Sequence, residues 1–177
     1  MKTFALACAA ACAFSVLLPQ RSSAQSASLN AELLKDWLEM KDIMMKISAA
    51  MPEEKFSYKS TPAQRDFGQQ ILHVAGGNDM YLGFFGGKVA APVLNRDARS
   101  KAEILKALED SFDYGTALIK EQTDRSMLES IQTNRYLGPS SRARVIYFLL
   151  GHTWDIYGQM AVYLRLNGVT PPRSERP

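Results

Sequence analysis

The residues best suited to chemistry in this 177-residue chain are its two histidines, His73 and His152. Neutral imidazoles facing each other across a helical bundle are credible ligands for a divalent metal ion. Two nitrogens fall short of the three protein ligands that a catalytic zinc site normally has, so a carboxylate would have to complete the set. Asp79 and Asp155 are the candidates nearest the histidines in sequence, with Asn78 a weaker oxygen donor. One turn after His152, where a second imidazole would sit best, the chain has Ile156. A His–Asp pair could also act as a general base given suitable substrate geometry. A histidine on a mostly apolar helix face has a plainer use as a hydrogen-bonded core or rim residue. Spacing leaves these uses open and assigns no catalytic residue.

Other chemistries have fewer tools. The only cysteines, Cys8 and Cys12, lie in an N-terminal segment that reads as an export signal. Lys2 gives a short positive start, Phe4 to Leu18 is an apolar run, and Ser22-Ser23-Ala24 supplies the small residues a signal peptidase needs. About 15 apolar residues are too few to span a bilayer, which takes roughly 20. A lipid attachment at Cys12 is a weaker alternative, because three alanines and more of the apolar run surround it. Cleavage between Ala24 and Gln25 predicts a periplasmic or secreted protein without thiols, which removes cysteine nucleophiles and thiolate ligands. No serine stands in a recognisable nucleophile elbow.

The remaining chain, about 150 residues, is long enough for one ordinary hydrophobic core without disulfides. The formal charge of +3 falls to about +1 when Lys2 and Arg21 leave with the signal. The other basic residues alternate with acidic ones, so no stripe suited to nucleic acid forms. No second stretch is apolar enough for a membrane span.

Positioning the histidines falls to helices. Leu33, Trp37, Met40, Met44 and Ile47 recur at helical spacing, with Glu32, Lys35, Asp36, Glu39 and Asp42 opposite. That helix ends near Met51, and its methionines read as adaptable core filler. Thr61-Pro62 with Gln64 predicts the start of a second helix through a capping box. It carries His73 and then Gly76-Gly77, which cost helix propensity and suggest a close helix contact or a kink. Phe84 and Phe85 follow as a candidate roof. A third helix is expected from about Ser100 to Glu121, where Gly115 again suggests close packing. A short helical turn is expected around Met127–Ile131. The last long helix runs from Pro139–Ser141 to Asn167–Gly168 with His152 at its middle. Its inward face reads Val145, Leu149, His152, Ile156, Gln159, Met160 and Tyr163. These elements predict an all-α, single-domain four-helix bundle; the order of connections stays open. Trp37, Tyr157 and the 122–138 connection are candidate surface features.

Two stretches resemble a known family: MPEEKFSYKSTPAQRDFGQQILHVAGGN at 51–78 and LGHTWDIYGQMAVYLRLNGVTPPRS at 150–174. The chain is similar over residues 29–173 to the DinB-like, YfiT-type four-helix bundle proteins. The resemblance implies a divalent metal, often zinc or nickel, held by one histidine of the second helix and two of the last, four residues apart. His73 and His152 match two of these positions, and Ile156 occupies the third. It also implies that relatives act as metal-dependent thiol transferases or isomerases using small cellular thiols, and often form homodimers. Two functions follow as expectations. One is an exported bundle of unassigned activity with a two-histidine remnant of the metal site, its pocket open to a small-molecule ligand. The other is a metal-dependent transferase or hydrolase-like enzyme whose third ligand has been rebuilt, for instance from Asp79.

Overall fold

The computed structural model describes residues 28–174, so the export signal read at 1–24 lies outside the described residues. Four long helices dominate: α1 (Leu29–Ala50), α2 (Phe67–Leu82), α3 (Lys101–Lys120) and α5 (Arg142–Leu166), with a short α4 (Asp124–Leu128) between the last two. Side-chain caps define most of their starts. Ser28, Ser100 and Ser141 each accept a hydrogen bond from a backbone N–H of the first turn they precede, satisfying donors that a helix leaves unpaired. Gly168, at φ +75°, stops the last helix.

The start of α2 differs from the sequence expectation. At Thr61-Pro62 the chain makes only a turn, Gln64 N–H donating to the Thr61 carbonyl at 3.1 Å. A later capping box begins the helix: Gln69 N–H donates to Asp66 Oδ1 at 2.7 Å, and Asp66 N–H to Gln69 Oε1 at 2.9 Å. Tertiary contacts select this box. Phe56 and Phe67 are both buried and meet edge to face at 5.4 Å. The backbone N–H groups of Phe67 and Gly68 donate back to the carbonyls of Tyr58 and Phe56.

Hydrogen bonds at the helix ends fix the topology that sequence left open. Lys101, the first residue of α3, donates through Nζ to the carbonyls of Ala49 and Met51, so α3 starts where α1 finishes. Asn30 Nδ2, at the other end of α1, donates to the Gln122 carbonyl just past α3. Tyr163 Oη donates to the Arg65 carbonyl, placing the end of α5 beside the start of α2. Arg142, the first residue of α5, donates to the Ser126 carbonyl just past α3, so α5 starts where α3 finishes; α1 and α5 therefore run one way and α2 and α3 the other. Since α2 and α3 are parallel neighbours, residues 83–100 must return along the length of the bundle. They have ample reach: α2, with 16 residues, is about 24 Å long, whereas eighteen extended residues cover roughly 60 Å.

Trp37, expected as a surface feature, is 0% exposed. Its indole N–H donates to the Phe112 carbonyl at 2.9 Å, and its ring packs on Phe112 at 4.9 Å. Gly115 makes room for it, as a Cβ there would lie 2.3 Å from Trp37 Cζ2. Gly158, on α5, faces open space instead. Met40, Met44 and Met51 are buried core residues, as expected. The helical turn expected at Met127–Ile131 is α4, slightly earlier. After it, Ser130–Ile131 (β1) and Ser140–Ser141 (β2) form a two-residue antiparallel ladder too short to leave a period-2 signal. Among the described residues no helix is long and apolar enough to cross a membrane.

Candidate functional site

His73 on α2 and His152 on α5 meet directly, Nε2 to Nε2, at 3.0 Å with their rings nearly perpendicular. At that distance one imidazole donates its Nε2–H and the other presents a bare Nε2, so the two rings hold different tautomers. Burial favours their neutral forms. It lowers the His73 pKa to about 4, with the charges of Arg65 and His152 acting in the same direction. His152 is lowered as well, chiefly by burial, although the nearby Asp155 carboxylate opposes the shift.

The two glycines that follow His73 help to open this region. A Cβ on Gly77 would touch His152 Cε1 at 3.5 Å, and one on Gly76 would touch the Arg96 guanidinium at 3.6 Å. Helix α2 continues through both. Neither abuts the backbone of a neighbouring helix: they face a cavity of about 700 Å³ between α2 and α5. That volume falls in the range of small-molecule sites.

Leu72, Met80, Tyr81, Phe148 and Leu149 supply much of its wall. Phe148 stacks over His152 and packs against Tyr81 at 4.8 Å. Tyr136, 78% exposed, reaches in from the 132–139 connection to within 6.0 Å of Phe148. The roof expected from Phe84 and Phe85 is not built that way: Phe85 is in the core, and its carbonyl accepts hydrogen bonds from Arg142. Two arginines line the mouth, Arg65 ahead of α2 and Arg96 from the long return segment. Sequence reasoning missed Arg65, Arg96 and Tyr136. All three arrive from loops, so no helical spacing linked them to the histidines.

The candidate oxygen ligands are engaged elsewhere. Asp79 pairs with Arg96 at 3.7 Å. Asp155 accepts from Gln159 Nε2 at 3.1 Å, while Gln159 Oε1 accepts from Gln70 Nε2 at 2.8 Å, tying α5 to α2 beside the histidines. Asn78 is buried on the other side of α2, its Nδ2 donating to Ser111 Oγ of α3. Among the described residues no group of three or more histidine, cysteine or acidic side chains could hold a metal ion. Ile156 is 2% exposed and packs in the hydrophobic core. Two zinc-bound nitrogens about 2.0–2.1 Å from the ion in tetrahedral geometry lie roughly 3.3–3.4 Å apart. The observed 3.0 Å is a few tenths of an ångström closer, so the pair could open to admit an ion. The donor set, however, does not fit a centre that needs three protein ligands.

A model of the DinB family matches residues 24–177. In structure the chain is similar to a DinB-like protein from Bacillus cereus, with a TM-score of 0.70 and 19% sequence identity, covering 79% of this chain and 93% of that one. At that identity the likeness concerns the fold. No curated protein matches the sequence.

Proposed function

The chain belongs to the DinB family, and from that premise we propose that it is an exported bundle of unassigned activity whose α2–α5 pocket binds a small molecule. His73 and His152 are the remnant of a divalent-metal site. The observation that carries this reading is their direct 3.0 Å contact at a cavity while Ile156, one turn on, is sealed in the core. Neutral imidazoles satisfied by each other have no need of an ion to remain buried. Export is supported by the positive start, apolar run and small-residue cleavage site of residues 1–24.

The same two nitrogens also favour a second reading. Both are neutral at pH 7 and point at one another, which suits a zinc or nickel ion with the third ligand drawn from outside the described side chains. The protein would then be a metal-dependent small-molecule transferase, thiol transferases included, or a hydrolase-like enzyme. Elemental analysis separates the two, using protein purified without a histidine tag and dialysed against trace zinc and nickel. The remnant reading expects far less than one metal per chain, unchanged in His73→Ala and His152→Ala. Near one per chain, lost on His73→Ala, would sink it in favour of the metal enzyme. N-terminal sequencing of the same preparation from its native host tests export: the first residue should be Gln25, and an intact Met1 would contradict it.

A further inference from the structure

We propose that the pocket takes a small amphipathic carboxylate, its anionic head at Arg65 and its apolar body along the wall of Tyr81, Phe148 and Met80. The inference rests on the small-molecule reading above and adds the chemical class of the ligand. Both basic residues that line the cavity are arginines, and no acidic side chain lines it. Arg96 shares its charge with Asp79 at 3.7 Å and is 61% exposed. Among the described residues Arg65 has no ion pair, and it is close enough to the histidines for its charge to lower the pKa of both. The mouth thus keeps about one uncompensated positive charge above neutral imidazoles. A guanidinium matches a carboxylate through two parallel N–H donors. One net charge beside a mostly apolar wall suits a monoanion with a hydrophobic body better than a dianionic phosphate. The His73–His152 pair, with one ring able to change the tautomer it presents, can donate to or accept from a polar group lying deeper.

The two arginines reach the site by different routes. Arg65 is held where Tyr163 Oη bonds its own carbonyl at 2.7 Å. Arg96 rides on the return segment across Gly76, which has no side chain to compete for the space.

The test is a panel of small aryl and branched-alkyl carboxylates, each paired with its primary amide, together with inorganic phosphate. Binding to the purified protein is read from NMR chemical-shift changes at low and high salt. At least one acid is expected to bind about tenfold or more tightly than its amide and to weaken as salt rises. Arg65→Gln should lower acid affinity about tenfold and leave amide binding and the melting temperature unchanged. Acids and amides binding equally would overturn the carboxylate assignment while the small-molecule pocket survives. Phosphate binding more tightly than every acid would overturn it in favour of an inorganic or phosphoryl anion. No binding by any member would remove both the assignment and the pocket reading.

Discussion

The seam between α1 and α3 and the seam between α2 and α5 are made from similar parts and do opposite things. Each joins antiparallel helices, and each has glycine on a facing helix. In the first, Gly115 is filled by the Trp37 indole, whose only polar atom is spent on the Phe112 carbonyl. In the second, Gly76 and Gly77 are followed by space: a Cβ on either would meet only the arginine or imidazole of the pocket, at ordinary contact distance. A glycine opposite a large rigid ring gives a dry, packed joint, whereas glycines opposite polar side chains held by their own partners leave a cavity. Residue type alone does not separate the two cases. The facing side chain does.

Substitution of the glycines should break this contrast most directly. Gly115→Ala puts a methyl group 2.3 Å from a fixed ring, and overpacking of this kind costs about 1–3 kcal/mol. Chemical denaturation should show a lower midpoint with an unchanged slope; an unaffected midpoint would mean that the Trp37 seam is looser than described. The histidine pair supplies the next effect, in pH rather than in packing. His73 has its folded pKa lowered from 6.5 to about 4, so between these values the unfolded chain binds the proton more readily. Stability should be flat above pH 6.5 as far as this group is concerned, and fall as pH drops toward 4. Partial exposure of the site limits the size of the fall. His73→Gln should flatten that window in melting-temperature measurements, and a profile identical to the wild type would argue against the buried neutral pair.

The smallest effect has the opposite sign. Gly76→Ala meets only the guanidinium end of Arg96, at 3.6 Å, and alanine is favoured over glycine in a helix interior by about 1 kcal/mol. The variant should therefore be more stable by up to about that amount. A destabilised variant would show that α2 has no spare room over the pocket, and would make the two glycine seams alike after all.

Much of the architecture was legible in the chain because it follows from local rules. The 3-4 spacing of Trp37, Met40, Met44 and Ile47, the cap at Ser100 and the stop at Gly168 each act within a turn or two of helix. The two histidines were legible for a related reason: with only two in the chain, each at the middle of a long helix, they could be singled out before their contact was known. The start of α2 was not, since two capping boxes compete there and the winner is chosen by Phe56, which lies in a preceding loop. Trp37 was legible as part of the apolar stripe but was also offered as a surface feature, since the recess at Gly115 that takes its ring belongs to another helix.

What the sequence determined by itself was an all-α chain of four long helices, an apolar stripe on each, and His73 and His152 at mid-helix. Tertiary structure decided that α2 and α3 run parallel, which forces residues 83–100 back along the bundle and brings Arg96 over the pocket. It also turned Asp79 to Arg96 and Asn78 to Ser111, leaving the imidazoles to pair with each other. The physical reason is range. Helix propensity and capping are settled among residues a few positions apart, while the partner of a buried polar group is settled by whichever element the fold brings within about 3 Å of it.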